Sequence, residues 1–154
     1  MLYSYVNGIR ITLKRKMINR KVKGSNAERE LIHNFHKKGF SVIRAAGSGN
    51  TTLPSPDLFI SRKGLSQAIE AKTSNNNTIP LKLKQVQELI AWSDNVHFCT
   101  PYIYAKVNRK GWYRIKALKA LNYCRKRHGL LKEDFSMNIN GVNGMFIYEK
   151  ILFT

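Results

Sequence analysis

The chain has 154 residues, the length of one ordinary domain, and 43% of them are hydrophobic, which is enough for a packed core. Its 27 lysines and arginines against 9 acidic residues give a formal net charge of +18. So large an excess of positive charge favours a polyanionic partner, with nucleic acid first and an anionic membrane surface second. The apolar runs are too short to span a membrane, and the first residues lack the apolar core of a secretory signal. We therefore expect a soluble, intracellular protein.

Residues 1–23 are predicted to form a basic N-terminal arm ahead of a single domain that spans residues 24–154. Positive side chains recur along this arm and include Arg20, Lys21 and Lys23 next to the domain. A segment of this composition is typical of a flexible arm that lies along phosphates, and equally of a solvated tail. Both interpretations stay open at this point.

The first half of the domain predicts one helix followed by three strands. Ser25 and Glu28 form the Ser-x-x-Glu pattern of a capping box, so we expect the helix to begin at Ser25. Its apolar stripe ends at Gly39. The segments "FSVIRAAG", "DLFIS" and "LSQAIEAKT" then predict strands. The loop "GSGNTTLPSP" separates the first two, and "RKG" joins the last two as a hairpin turn.

The second half alternates between helical and extended patterns. "IPLKLKQVQELIAWSDN" predicts a helix, "HFCTPYIYAKVN" and "GWYRIK" two paired strands, and "ALKALNYCRKRHG" a short basic helix. The segment "GMFIYEKILF" in the tail from residue 132 to 154 predicts a strand or a packing arm. The order α-β-β-β-α-β-β up to this tail predicts an α/β domain with a mixed central sheet.

Two of the scarce acidic residues lie on the predicted hairpin. Glu70 and Lys72 are two residues apart, so the pleat sends both to one face of the strand, and hairpin pairing brings Asp57 beside Glu70. Two close carboxylates repel each other unless a cation lies between them, and Mg²⁺ prefers oxygen ligands. A metal ion and Lys72 together would orient a water and stabilise charge on a phosphate. The pattern therefore predicts a phosphodiester hydrolysis site.

A purely structural interpretation remains open for each of these residues. Asp57 would cap a turn, while Glu70 and Lys72 would form a solvated cross-strand pair. Glu28 lies at the edge of the helical stripe, where it serves either the capping box or the site. Arg44 falls between apolar strand neighbours, so it needs a carboxylate or a phosphate as partner.

The segments "KGSNAERELI", "GFSVIRAAGSG", "PSPD" and "AIEAKT" occur in this order and closely resemble archaeal Holliday junction resolvases of the Hjc type. These enzymes belong to the PD-(D/E)xK nuclease superfamily, and the resemblance covers about residues 23–115. It implies an α/β, restriction-endonuclease-like core with a central mixed β-sheet flanked by helices. It also implies a homodimer that cuts four-way DNA junctions symmetrically, with Mg²⁺ as cofactor and Mn²⁺ as a substitute.

The resemblance assigns roles to individual positions. The implied catalytic set is Glu28, Ser48, Asp57, Glu70 and Lys72. Within it, the implied metal ligands are Glu28, Asp57 and Glu70. The implied DNA-binding residues are Arg44 and Ser48, in addition to the arm residues Arg20, Lys21 and Lys23 expected from their charge. Gln85 resembles an accessory glutamine near the metal site. The usual hydrophobic residue between the motif's acid and lysine is here the small Ala71.

Two other functions use the same residues and stay open. The first is a different PD-(D/E)xK endonuclease that acts on duplex DNA, and the second is a basic DNA-binding protein without catalysis. RNA cleavage is a third, although no stacking-aromatic signature points to it. For the resolvase we expect a cytoplasmic, nucleoid-associated protein, with a recombination or replication factor such as a sliding clamp as a possible partner and no membrane partner.

Overall fold

A computed structural model describes residues 2–45, 53–129 and 132–154, with side chains from residue 20 onward. Its elements in chain order are helix α1 (Leu2–Lys37), strands β1 (Ser41–Arg44), β2 (Leu58–Arg62), β3 (Leu65–Ser74) and β4 (Thr78–Lys82), helix α2 (Leu83–Asp94), strands β5 (Cys99–Val107) and β6 (Gly111–Lys116), helix α3 (Ala117–His128), and strands β7 (Asp134–Asn138) and β8 (Glu149–Ile151).

Helix α1 is longer than the sequence predicts. The expected start at Ser25 is wrong, because the helix runs without a break from Leu2 through Gly24 and Ser25 to Lys37. The residues just before Gly24, from Leu13 to Lys23, are mostly good helix formers, which allows the helix to continue through that glycine. The backbone of residues 2–23 is helical. That residues 1–23 act as a separate basic arm stays a prediction.

The central sheet is mixed, as predicted. Its strand order is β1-β2-β3-β5-β6-β8, with β3 and β5 parallel and all other neighbours antiparallel. The predicted pairing of the β5 and β6 segments is confirmed. Helix α2 lies in the crossover between the parallel strands β3 and β5, as parallel pairing requires a long connection.

The hairpin of β2 and β3 has the register that the sequence predicts. Lys63 and Gly64 form the turn with φ angles of 42° and 81°, a conformation that glycine adopts without strain. Leu58 pairs with Ile69. The next position outward therefore places Asp57 opposite Glu70.

The helices cover both faces of the sheet. Ala27, Leu31 and Phe35 of α1 pack on one face in a buried cluster with Leu58 and Tyr104. Helices α2 and α3 pack on the opposite face in a second, larger cluster. The alternation of β3 sends Glu70 and Lys72 to the face of α2, and this positions the site.

A second, two-stranded sheet is made of β4 and β7. The predicted helix over "IPLKLKQVQELIAWSDN" is wrong at its first residues, because residues 79–82 belong to β4 and the helix begins at Leu83. Strand β7 joins the same small sheet from more than fifty residues away. In the described ranges no helix is long and apolar enough to span a bilayer.

Candidate active site

The predicted hairpin residues meet at the end of β2 and the middle of β3. The carboxylate Oδ2 of Asp57 accepts a hydrogen bond from the backbone N–H of Ala71 at 2.8 Å. The Lys72 ammonium donates to Glu70 Oε1 at 2.7 Å and to Gln85 Oε1 at 2.9 Å. The structure thus brings together Asp57, Glu70, Lys72 and Gln85.

Local structure explains why Gln85 reaches this cluster. Strand β4 leads directly into α2, so the first turn of that helix starts beside the face of β3 that carries Lys72. Gln85 lies in that first turn and is half-buried. A side-chain amide oxygen accepts a hydrogen bond without adding charge. Gln85 therefore fixes the ammonium of Lys72 and leaves the charge balance of the site unchanged.

The negative charge of Asp57 is not fully compensated by the positive charge of the site. Burial raises the pKa of Asp57 to about 6, and the nearby charge of Glu70 acts in the same direction. Glu28 adds a smaller upward effect on this pKa, while the Ala71 N–H and Lys72 lower it. A cation placed between Asp57 and Glu70 would relieve this unfavourable charge.

The donor set fits a hard divalent cation held by two residues. Asp57 and Glu70 offer carboxylate oxygens, the ligands that Mg²⁺ takes when it keeps several waters. Among the residues that the structure describes, no three Asp, Glu, His or Cys side chains converge closely enough to hold a metal together. Direct ligation by Glu28 therefore stays a prediction.

Glu28 binds Arg44 in this conformation. The Arg44 Nε and one terminal nitrogen each lie 2.7 Å from Glu28 Oε2. Arg44 lies opposite Leu58 in the sheet, so this pair is on the α1 face while Glu70 and Lys72 are on the α2 face. The expectation that Arg44 needs an anionic partner is confirmed, and Glu28 is that partner.

A cavity of about 340 Å³ opens at Asp57 and Glu70. Two of its lining residues on α2 were not predicted from the sequence, Lys84 and Glu88, whose charged groups are 3.8 Å apart. Lys84 and Glu88 are four residues apart on the same helix as Gln85, and this spacing in the sequence could have indicated that they lie on one helix face near the site. Glu88 is a further carboxylate at the mouth of the site.

The remaining predicted residues lie elsewhere. Ser48 falls outside the described residues. Arg20, Lys21 and Lys23 are exposed on α1 and do not line the site cavity. Lys23 instead borders a separate cavity of about 200 Å³ that also touches Lys106. The contacts of these residues with DNA stay predictions.

Comparison with curated proteins gives relatives with a shared name. The chain is 33% identical over 92 residues to the crossover junction endodeoxyribonuclease Hjc of Archaeoglobus fulgidus, covering 60% of this chain and 67% of the relative. It is 37% identical over 86 residues to the Hjc of Methanocaldococcus jannaschii, covering 56% of this chain and 60% of that relative. The chain thus spans about two thirds or less of the length of these relatives.

The solved structure of Archaeoglobus fulgidus Hjc has the same fold. It superposes with a TM-score of 0.62 at 23% identity, over 75% of this chain and 88% of that one. The predicted restriction-endonuclease-like architecture, a mixed sheet flanked by helices, is confirmed. The profile described as archaeal Holliday junction resolvase (Hjc) matches residues 19–137, which is most of the chain. The chain belongs to the archaeal Holliday junction resolvase family.

Proposed function

We propose that this chain resolves four-way DNA junctions as a metal-dependent endodeoxyribonuclease that cuts two opposing strands. The observation that supports this most is the clustering of Asp57, Glu70 and Lys72 on one face of a hairpin, where Asp57 and Glu70 line a cavity. Family membership supplies the substrate class. The net charge of +18 suits a phosphate-rich substrate of any sequence.

Asp57 and Glu70 would hold Mg²⁺, or Mn²⁺ in its place. The bound metal ion supplies Lewis acidity at the scissile phosphate. Glu70 positions the ammonium of Lys72 through their 2.7 Å contact, so that Lys72 orients a water or stabilises charge on the phosphate. The Ala71 N–H holds Asp57 in a fixed rotamer.

The Glu28–Arg44 pair would act at the edge of this site. A guanidinium binds phosphate in a bidentate manner as readily as it binds carboxylate. Arg44 would therefore exchange Glu28 for a DNA phosphate, which frees Glu28 to order the metal ion or its waters. Ser48 would contact the DNA.

A homodimer accounts for paired cleavage. A four-way junction is close to two-fold symmetric, and a two-fold dimer presents two equivalent sites to it. Arg20, Lys21 and Lys23 would lie along phosphates of the junction arms, so recognition would depend on branched shape. We propose a cytoplasmic, nucleoid-associated setting, with a recombination or replication protein such as a sliding clamp as partner.

The test is a cleavage assay on matched substrates. The purified chain and its Asp57→Ala variant are incubated with labelled four-way junction or linear duplex, with and without Mg²⁺. We expect paired symmetric nicks in the junction alone, lost in the variant while junction binding persists. Equal cutting of the duplex would instead make the chain a general endonuclease. Tight binding without cutting under any divalent metal would contradict the nuclease assignment.

A further inference from the structure

A second, larger cleft adjoins the candidate site. It has a volume of about 720 Å³ and lies between the small β4–β7 sheet and the C-terminal end of α3. We call it the α3 cleft and define it by Lys82, Arg127, Lys132 and Asp134, together with Lys72 and Gln85 of the site. Gln85 lines both the α3 cleft and the site cavity. An extended ligand that lies in the α3 cleft would therefore pass directly beside the Lys72 ammonium.

Apart from Lys72, which pairs with Glu70, the Lys and Arg side chains that line the α3 cleft form no ion pair with a carboxylate in the described ranges. Lys82, Arg127 and Lys132 are exposed, and within the described ranges none of them forms an ion pair. Asp134 is the one acidic residue that lines the cleft. The cleft therefore carries a net positive charge beside the site, although Asp134 lies opposite Lys82 in the β4–β7 pairing.

His128 also lines the cleft and lies close to Lys132 and Arg127. Desolvation lowers the pKa of His128, and the charges of Lys132 and Arg127 lower it further. A positive potential that disfavours protonation of an exposed imidazole is one that attracts anions.

The aromatic residues of the cleft form its floor and leave recognition to the cations. Tyr123 and Phe135 are 5% and 4% exposed, with ring centroids 6.3 Å apart. Arg127 lies over the Tyr123 ring at 5.8 Å and donates to its hydroxyl at 3.3 Å. These rings are packed against protein groups, so they offer little face for stacking nucleobases. Charge complementarity thus favours the phosphate backbone, without base readout.

We propose that the α3 cleft binds phosphates of the DNA strand being cut, on one side of the scissile phosphate. This inference rests on the proposed nuclease function. By holding the strand in the cleft, Arg127 and Lys132 would align it with Lys72 and Gln85. They are positioning residues and would contact phosphates that do not react.

The test replaces single phosphates of the junction by uncharged methylphosphonates. Equilibrium binding is measured without divalent metal, in an Asp57→Asn background, for a series of junctions that each carry one replacement along the cut strand. We expect a short run of sensitive positions on one side of the cut. These positions should become insensitive in Arg127→Gln/Lys132→Gln. The matched control, Lys119→Gln/Arg125→Gln, removes two positive charges from α3 that lie outside the cleft. It should keep the sensitivity to methylphosphonate at the same positions.

The salt dependence of binding gives a second readout. The magnitude of the slope of log affinity against log salt should fall by about one for each phosphate that the variant no longer binds. Because Arg127 also packs on Tyr123, the single variants Lys132→Gln and Lys82→Gln check that the effect does not arise from misfolding. Identical interference patterns in the cleft variant and the control would overturn the inference, including the case where the cleft takes a small anion or an acidic protein segment.

The outcome is separable from that of the proposed function. If the wild-type chain cuts the junction but the interference pattern ignores the cleft residues, the inference fails and the nuclease stands. If no metal supports cutting, the nuclease assignment fails. The inference then fails with it, whatever the binding pattern, because no strand is cut.

Discussion

Asp57 combines two environments that oppose its own charge. Its side chain is largely buried, and the carboxylate of Glu70 lies across the hairpin from it. Two neighbouring carboxylates in a low-dielectric site repel each other, so ionisation of Asp57 is costly unless a cation binds between them. Buried carboxylates that destabilise the metal-free protein in this way are common in sites that bind a metal ion.

The raised pKa of Asp57 predicts how stability depends on pH. A carboxyl whose folded-state pKa lies above its ordinary value of 3.8, here at about 6, stabilises the metal-free protein below pH 4. That contribution is lost as pH rises through 6, and it amounts to roughly 2–3 kcal/mol at most. Asp57→Asn should therefore be more stable than the parent chain at pH 8 in EDTA, and about equally stable near pH 4.

Urea unfolding across this pH range measures the difference. Glu149→Gln is a suitable comparison because Arg114 lowers the pKa of the Glu149 carboxyl. The change in unfolding free energy caused by Glu149→Gln should therefore vary with pH in the opposite direction. A stability difference for Asp57→Asn that does not vary with pH would contradict the raised pKa.

Lys72 and its neutral partner Gln85 should differ in their effect on cleavage. Lys72→Met removes the charge that we propose acts on the reacting phosphate, so we expect a loss of at least about 100-fold in cleavage rate. Gln85→Ala removes one neutral acceptor of the same ammonium, so a loss of about 5-fold is expected. Single-turnover cleavage measures both. Gln87→Ala, an exposed change on the same helix, should have no effect; equal losses for Lys72→Met and Gln85→Ala would refute this division of roles.

At the scale of elements, local patterns predicted β2, β3 and the alignment of Asp57 with Glu70. The period of two along β3 and the short "RKG" turn suffice for this, because both act between neighbours in sequence. The presence of Gln85 in the site followed only from family resemblance. No sequence spacing reveals that the first turn of α2 faces Lys72.

Strand β4 was missed because its pattern overlaps with that of a helix. Ile79 and Leu81 alternate with exposed residues, as a strand requires, but they also extend the apolar spacing of Leu83 and Val86. The pairing of β4 with β7 is non-local and carries no turn signal. The α3 cleft, which this pairing builds, was therefore beyond prediction from the sequence.

The packing of α1 on the sheet depends on a few side chains. Leu31 is fully buried between the helix and the strands, so Leu31→Ala should lower the free energy of unfolding by about 2–5 kcal/mol. His33→Ala, an exposed change on the same helix, should be nearly neutral. Thermal or urea unfolding measures both. A near-neutral Leu31→Ala would mean that α1 is not firmly docked.

At the scale of the molecule, the excess positive charge should govern binding to DNA. If Arg20, Lys21 and Lys23 bind phosphates, replacing all three by Gln should reduce the salt slope of junction binding by about one for each phosphate released. Lys63→Gln in the β2–β3 turn serves as a single-charge comparison. An unchanged slope would mean that these three residues of α1 are only solvated.

The two tryptophans lie on opposite faces of the central sheet. Trp112 is buried with the α1 cluster, whereas Trp92 packs against Phe59 with ring centroids 5.7 Å apart on the other side. Replacing either one by Phe would leave a single tryptophan, whose emission on selective excitation reports on one layer alone. If the two emission signals change together during unfolding, the layers form one cooperative unit. If the Trp112 signal changes first, the long helix detaches while the β2–β3 hairpin and α2 remain folded.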